Sequence, residues 1–441
     1  MNGGTSHPSR GETLAAAGAE QIKLSIHQRL LKSLNLVEAG RMPLQELHAE
    51  CSRRVDQLLR EERLPLTASE KQGLLQGVMD EIFGLGPLEP FLRDRTISDI
   101  LVNGPRQVYI ERAGVLEETH ATFRDDPHLL AVIQRIGARV GRRIDESSPM
   151  LDARLPDGSR VNAIIPPLAL GGPAMSIRRF GTVPLDIDSL VELDSLAAEM
   201  ALFLKACVRC RTNILISGGT GTGKTTLLNV LSRWIPEGER VVTIEDAAEL
   251  QFQRRHVVRL ETRPPNIEGQ GEVTQRDLLR NTLRMRPDRI IIGEVRGPEA
   301  LDMLQAMNTG HEGSMTTVHA NNTRDAMRRL ENMVSMAGLN FPVVAIRQQV
   351  ASALNLVIQI SRMTGGRRKI SAIAEVTGME GDTICLQDLF RFQQKGIGPD
   401  GHAQGHFEAC GVRPQLMDRL HAEGVSMPAD LFQRRVLSQK K

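Results

Sequence analysis

The chain has 441 residues, with 55 Lys+Arg against 53 Asp+Glu for a net charge of +2, and 41% of it is hydrophobic, enough for two or three domains with real cores. The near-neutral balance argues against a dedicated nucleic-acid binder, which carries a basic stripe, and 3% aromatics with one Trp and one Tyr leave little for base stacking. No apolar run approaches the roughly 18 residues of a membrane-spanning helix.

Residues 1–20 are rich in Gly, Ser, Thr and Ala without an apolar segment and are expected to form a disordered leader, not a signal peptide. The five cysteines, an odd number scattered along the chain, fit reduced thiols, so a cytoplasmic protein is expected. Residues 21–80 repeat apolar side chains such as Val55 and Leu59 at helical spacing among many charges, which predicts a helical N-terminal region. Over 81–182, strand patterns at 98–102, 107–111 and 174–180 surround a helix pattern at 126–140 and a hairpin at 151–155 and 160–165. Its Asp157-Gly158 pair supplies positive φ, and the stretch predicts an α+β domain. Residues 183–194 hold Pro184 and little periodicity, the signature of a hinge. Residues 195–395 alternate strand and helix patterns, above all over 211–320, which predicts an α/β domain with a doubly wound parallel sheet. Strands near 369–377 and 383–392 close that sheet, and the tail at 396–441 is Gly-rich and weakly patterned.

One segment carries chemistry by itself. Gly218-Gly219-Thr220-Gly221-Thr222-Gly223-Lys224-Thr225-Thr226 follows the apolar stretch 213–217 and precedes a helix pattern with Leu227, Val230, Leu231 and Trp234. It satisfies G-x-x-x-x-G-K-[ST] with a strand before it and a helix behind it, the context that motif needs. ATP with Mg²⁺ is the expected cofactor. Glycines let backbone N–H groups wrap the phosphates, the helix N-terminus adds partial positive charge, Lys224 bridges the β- and γ-phosphates, and Thr225 holds the metal.

Two more strand patterns end in acids: 240–244 leads to Glu245-Asp246, and 289–293 leads to Glu294. In a parallel sheet both ends face the nucleotide crevice. An acidic turn after a strand is also a common helix cap, so Glu245 stands open between the two roles. Glu294 looks like a Walker B acid with Glu in place of Asp, expected to hold the Mg²⁺ shell or polarise the attacking water, with Gly293 leaving room for the phosphate loop. His311 and His319 flank the next strand eight residues apart, up to about 26 Å from each other. His319, at the exit end, is the expected phosphate sensor, and His311 is assigned to a neighbouring loop or a subunit contact.

Arg154, Arg160, Arg178 and Arg179 lie on strand patterns before the hinge. Either they are solvated, or some of them cap the γ-phosphate when domains close, as arginine fingers do. Arg276, Arg280, Arg284, Arg286 and Arg289 are read as a basic helix face suited to a subunit interface. Cys207 and Cys210, without a second pair at zinc-ribbon spacing, are expected to be buried thiols, and Cys385, His402, His406 and Cys410 lack the short pairing of a metal site.

The phosphate loop, Thr243 to Asp246 with Glu249-Leu250, Gly293-Glu294-Val295-Arg296 and the His311/His319 stretch, in this order, together resemble the secretion-ATPase superfamily that powers type II secretion, type IV pili and type IV secretion. Leu151-Asp-Ala-Arg-Leu-Pro-Asp-Gly-Ser-Arg-Val-Asn162, Ser176-Ile-Arg-Arg-Phe180 and Arg296-Gly297 look like the CpaF/TadA-type ATPases of tight-adherence (Flp) pili. The resemblance implies a RecA-like C-terminal domain, an N-terminal domain folded over the nucleotide, and a homo-hexameric ring in the cytoplasm, peripheral to the inner membrane. It implies docking on a polytopic inner-membrane platform protein, action on pilin only indirectly, and no direct nucleic-acid partner. It assigns Lys224, Thr225, Glu245, Glu294 and His319 to the nucleotide and Arg160 and Arg178 to its phosphates. The late tetracysteine zinc module of the type II branch is missing from the sequence. The expected function is an ATP-driven motor for assembly of a tight-adherence pilus, with retraction left open beside extension, or for secretion of its substrate. A type IV secretion ATPase is the nearest alternative, and a DNA translocase or helicase is the alternative from another class, which would need a basic channel or stacking aromatics.

Overall fold

A computed structural model gives the protein's structure at residues 29, 44–61, 67–112, 114–179, 185–252, 254–265, 270–338 and 341–437. The leader expected at 1–20, the helical pattern expected at 21–43 apart from residue 29, and the last residues of the tail lie outside the described residues. The chain divides into two compact units, Met1–Thr182 and Val183–Lys441.

In the first unit, α1 (Leu44–Glu61) buries Cys51, Val55 and Leu59, and α2 (Ala68–Ile82) buries Leu75 and Met79. Spacing of four residues keeps these side chains on one helix face. After the short α3 (Glu89–Arg93) come β1 (Ile97–Asn103), β2 (Val108–Arg112), β3 (Val115–Glu118), α4 (Asp126–Arg139), β4 (Met150–Arg154), β5 (Arg160–Ile164) and β6 (Ala174–Arg178). The strands form one antiparallel sheet of order β3-β2-β1-β6-β5-β4. Alternation puts Ile100, Val102, Val161, Ala163, Met175 and Ile177 on the face covered by Leu129, Val132, Ile133 and Ile136 of α4. Asp125 starts that helix by accepting from the His128 N–H at 2.8 Å. Strand β3 was not foreseen, because all four of its residues are exposed and leave no alternation to read.

The second unit contains α5 (Ile187–Glu192), α6 (Ala198–Arg209), β7 (Ile214–Gly218), α7 (Lys224–Ser232), β8 (Val241–Glu245), β9 (Val257–Glu261), α8 (Gln275–Thr282) and β10 (Arg289–Ile292). It continues with α9 (Glu299–Asn308), β11 (Met315–Val318), α10 (Thr323–Ser335), α11 (Val343–Ala353), β12 (Leu356–Arg362), β13 (Arg368–Glu380), β14 (Thr383–Ile397), β15 (Ala403–Ala409), α12 (Leu416–Ala422) and β16 (Arg435–Val436). One ten-stranded sheet has the order β16-β15-β14-β13-β12-β7-β11-β10-β8-β9. The six strands from β12 to β9 are parallel, and β13 to β16 add an antiparallel wing. Helices cover both faces: Ile214 and Ile216 pack with Phe203 and Cys207 of α6 and Leu227 and Leu231 of α7, while Leu215 packs with Leu304, Leu330 and Val350 of α9, α10 and α11. A strand buried on both faces reads as a continuous apolar run, as β7 does. Burial pushes the Cys207 thiol well above its ordinary range.

Two sequence readings need correction. The tail is not weakly structured: β15 and β16 extend the sheet, and the backbone N–H groups of Gln415 and Leu416 at the start of α12 donate to Glu375 at 2.9 and 2.7 Å. Arg289 is not on a helix face. It opens β10 fully buried, paired with Glu239 and donating to the Val208 carbonyl at 2.6 Å. Arg276 and Arg280 both turn onto Asp302 of α9, at 2.6 and 3.1 Å, so that helix face is partly neutralised within its own chain. Among the described residues no helix is long and apolar enough to cross a membrane.

Candidate functional site

The parallel strands deliver their ends to one edge in the order the sheet dictates. β7 runs into the loop 218–224, β11 into His319, β10 into Gly293-Glu294 and β8 into Glu245-Asp246. Neighbouring strands lie about 4.8 Å apart, which puts the end of β10 two strands, about 10 Å, from the phosphate-loop strand and the end of β8 three strands, about 14 Å, away. His311 precedes β11 and therefore sits at the opposite edge, where the Ser314 hydroxyl donates to its carbonyl at 2.7 Å.

The loop has the backbone that phosphate wrapping requires. Gly221 and Gly223 have φ of 70° and 101°, and a Cβ on Gly218 would lie 2.5 Å from the Ile360 carbonyl oxygen, so glycine is needed at these places. Lys224 opens α7 with its ammonium donating to the Gly219 carbonyl at 3.0 Å and 3.4 Å from each ring nitrogen of His319. Burial holds the Lys224 pKa below its usual value, against the pull of the Glu294 carboxylate. The Thr222 hydroxyl also donates to the Gly219 carbonyl, at 2.9 Å.

His319 Nε2 lies 3.0 Å from Glu294 Oε1, and Arg296 Nη2 lies 3.1 Å from Glu294 Oε2. Burial first, and the Lys224 ammonium second, lower the His319 pKa, which favours a neutral ring whose Nε2–H donates to Glu294. The network goes on through Arg296, 3.8 Å from Asp246, to Gln275 on α8, whose amide donates to Asp246 at 2.9 Å. The bond to Glu294 raises the Arg296 pKa further.

Glu245 is engaged differently. It is 3% exposed, and its Oε2 accepts from the backbone N–H groups of Glu249 and Leu250 at 2.7 and 2.8 Å. Burial pushes its pKa up to about 7, opposed by those two bonds. Gly293 makes room for this side chain and not for the phosphate loop, since a Cβ there would lie 3.1 Å from Glu245 Cγ. The carboxyl group fastens the turn after β8.

Mg²⁺ takes hard oxygen ligands. Among the described residues no hydrogen bond engages the Thr225 hydroxyl, at the second position of α7, and Glu294 adds a carboxylate on the neighbouring edge; this donor chemistry fits the ion. Arg160 and Arg178 belong to the first unit, where they face each other across β5 and β6, with Arg154 opposite Arg160 and Asp99 opposite Arg178. Arg178 Nε lies 3.3 Å from Asp99 Oδ1. Arg179 is separate from this row and donates to the carbonyls of Phe91 and Asp94. Three site residues carried no role in the sequence reading. Arg296 sat inside a quoted motif two residues after Glu294, whereas Gln275 and Arg368, which donates to the Gly221 carbonyl at 3.0 Å, carry no spacing signal at all.

Comparison with known proteins adds a family. A family model described as type II/IV secretion system protein matches residues 81–387, more than half of the chain. The chain is 37% identical over 339 residues to a candidate conjugal transfer protein of Mycobacterium tuberculosis, covering 72% of this chain and 96% of that one. It is 34% identical over 298 residues to the conjugal transfer protein TrbB of Rhizobium radiobacter, covering 66% and 86%. Among solved structures, the VirB11 ATPase of the Brucella suis type IV secretion system matches with 30% identity, 67% and 97% coverage and a TM-score of 0.36.

Proposed function

The chain belongs to the type II/IV secretion ATPase family, and we propose that within it the protein is a Mg²⁺-dependent ATP-hydrolysing motor for assembly of a tight-adherence (Flp) pilus, of the CpaF/TadA type. The observation that carries the motor reading is the line from Lys224 through His319 to Glu294 at the mouth of the phosphate loop. Lys224 leaves the Gly219 carbonyl for the phosphates. Glu294 orients the attacking water and accepts its proton, and neutral His319 holds that carboxylate in place. Glu294 takes this role ahead of Glu245 because it lies one strand nearer the loop, and because Glu245 is almost wholly buried and its carboxyl group fastens the turn after β8. When bound through Thr225 and Glu294, Mg²⁺ supplies neutralisation of the phosphate charge.

Arg160 and Arg178 are proposed to cap the γ-phosphate when the two units close on it, and a homo-hexameric ring lets that closure pass between copies. The ring works in the cytoplasm against a polytopic inner-membrane platform protein and reaches pilin only through it. The stretch 151–162 and Ser176 to Phe180 support the tight-adherence subtype. A second reading, a type IV secretion motor, is favoured by relatives named for conjugal transfer. Replacing the chromosomal copy by Lys224→Ala separates them. Loss of thin pilin filaments in electron micrographs with conjugal transfer intact is expected, and loss of transfer with filaments intact would install the second reading.

A further inference from the structure

Outside the network just described, a further cation touches the phosphate loop. Arg368, the first residue of β13, donates from Nε to the Gly221 carbonyl at 3.0 Å, across 147 residues of sequence. Gly221 is the exposed apex of the loop, at φ 70°, and a Cβ placed there would meet nothing within 4 Å. Packing therefore does little to steady the apex. The neighbouring carbonyl of Gly219 is engaged from inside the loop, by Lys224 and Thr222. The Lys224 bond has to be given up when the ammonium moves to phosphate, but nothing about nucleotide binding requires Arg368 to let go.

Arg368 is itself held firmly. The next residue, Lys369, points to the opposite side of the strand, where it is 1% exposed, bonded to the backbone carbonyl and the carboxylate of Asp194, and 5.4 and 5.6 Å from the ring centres of Phe392 and Phe407. The Ile370 N–H donates to the Ser195 carbonyl at 2.8 Å. On the other side of Arg368, the turn before it is closed by Met363 N–H to the Arg367 carbonyl at 2.8 Å, and Ala403 N–H ties Thr364 to β15 at 3.0 Å. The backbone that carries the guanidinium is thus fixed from both directions.

The Gly221 carbonyl shares its peptide with the Thr222 N–H, one of the groups a phosphate loop turns toward its anion. A carbonyl that accepts from a cation polarises its peptide and makes that N–H a stronger donor. We propose that Arg368 is a positioning residue for the nucleotide: acting through the Gly221 carbonyl, it fixes the apex of the loop in its phosphate-receiving shape and strengthens the Thr222 N–H toward the phosphates. This rests on the reading of 218–226 as an ATP-binding loop. The phosphates that the loop cradles are common to ADP and ATP, so the effect falls on the binding of both and spares the chemical step.

The test uses the full chain, titrated with fluorescent Mg²⁺-ADP and assayed for steady-state ATP hydrolysis, as wild type, Arg368→Ala, Arg368→Lys and Arg367→Ala. Arg367 is an exposed neighbour, 3.6 Å from Asp400, and its loss removes the same charge without touching the loop. Loss of one charge-assisted hydrogen bond is expected to raise the ADP Kd and the ATP KM of Arg368→Ala together by about tenfold with kcat within about twofold. Arg368→Lys should recover part of that change, and Arg367→Ala should match wild type. An unchanged Kd and KM in Arg368→Ala, or an equal rise in Arg367→Ala, would overturn the proposal while leaving the ATPase reading intact. Wild-type protein that binds no adenine nucleotide would overturn that reading, and this inference with it.

Discussion

Glu245→Gln offers the sharpest physical test, because the side chain is almost wholly buried and its pKa is moved from 4.5 to about 7 by that burial. The folded state binds this proton more tightly than the unfolded chain does. The group's contribution to stability is therefore complete below its unfolded pKa and is lost as pH rises through about 7. For a shift of that size the loss between about pH 5.5 and about pH 8 comes to about 2 kcal/mol. Glutamine keeps an oxygen to accept from the Glu249 and Leu250 N–H groups but does not titrate, so the variant should gain on wild type by that amount over the same interval. Every other titrating group cancels in the difference. The assay is thermal unfolding followed by Trp234, the single tryptophan, which packs against the core around α6 and α7 and so reports on the second unit alone. In a unit of this size the change corresponds to about 4–8 °C in relative midpoint. Parallel pH profiles for the two proteins would refute the reasoning and mean that Glu245 is ionised throughout.

Glu294→Gln is expected to bind ATP with near-normal affinity and to hydrolyse it about 10²-fold more slowly or worse, while Glu245→Gln stays within about tenfold of wild type; reversed results in a phosphate-release assay would move the base to β8. Arg178→Ala, and to a smaller degree Arg160→Ala, should keep ADP affinity within about threefold and lose hydrolysis by about 10²-fold, below the range seen when an arginine finger is removed. Unchanged turnover would leave the row on β5 and β6 as solvated charge. Arg289→Met leaves the buried Glu239 with Arg211 alone, 3.2 Å from its Oε1, and should cost about 2–3 kcal/mol in urea unfolding read by Trp234; a loss under about 1 kcal/mol would show that Arg211 compensates the carboxylate by itself.

Much of the nucleotide edge was legible because local sequence and sheet geometry agree there. A short buried strand, a glycine loop and a helix start occupy consecutive residues, so Lys224 and Thr225 need no tertiary information. The ends of β8, β10 and β11 follow from the rule that parallel strands point their C-termini the same way. Strand order is not local, and it is what separates Glu294 from Glu245: β11 and β10 insert between β7 and β8. The same holds for Arg289, which regular spacing grouped with the arginines of α8 although its partner, Glu239, lies 50 residues earlier. Gln275 and Arg368 reach the site only through tertiary closure. β13 and β14 of the wing were legible, but its outer strands β15 and β16 were missed for another reason: the last four residues of β14 are exposed, and glycines interrupt the alternation that marks a half-buried strand.

The antiparallel wing also sets where the chain can be cut. β14 pairs with β13 up to Arg391, and its last residues pair with β15. An expression fragment ending at residue 395 would strip that ladder of its partner and take Phe407 from its tilted ring contact with Phe392, 5.1 Å between centres. A long strand with free N–H and C=O groups on one side is a template for the next copy. Such a fragment is destined for inclusion bodies, and a soluble ATPase unit has to be drawn with its tail included, through Leu437.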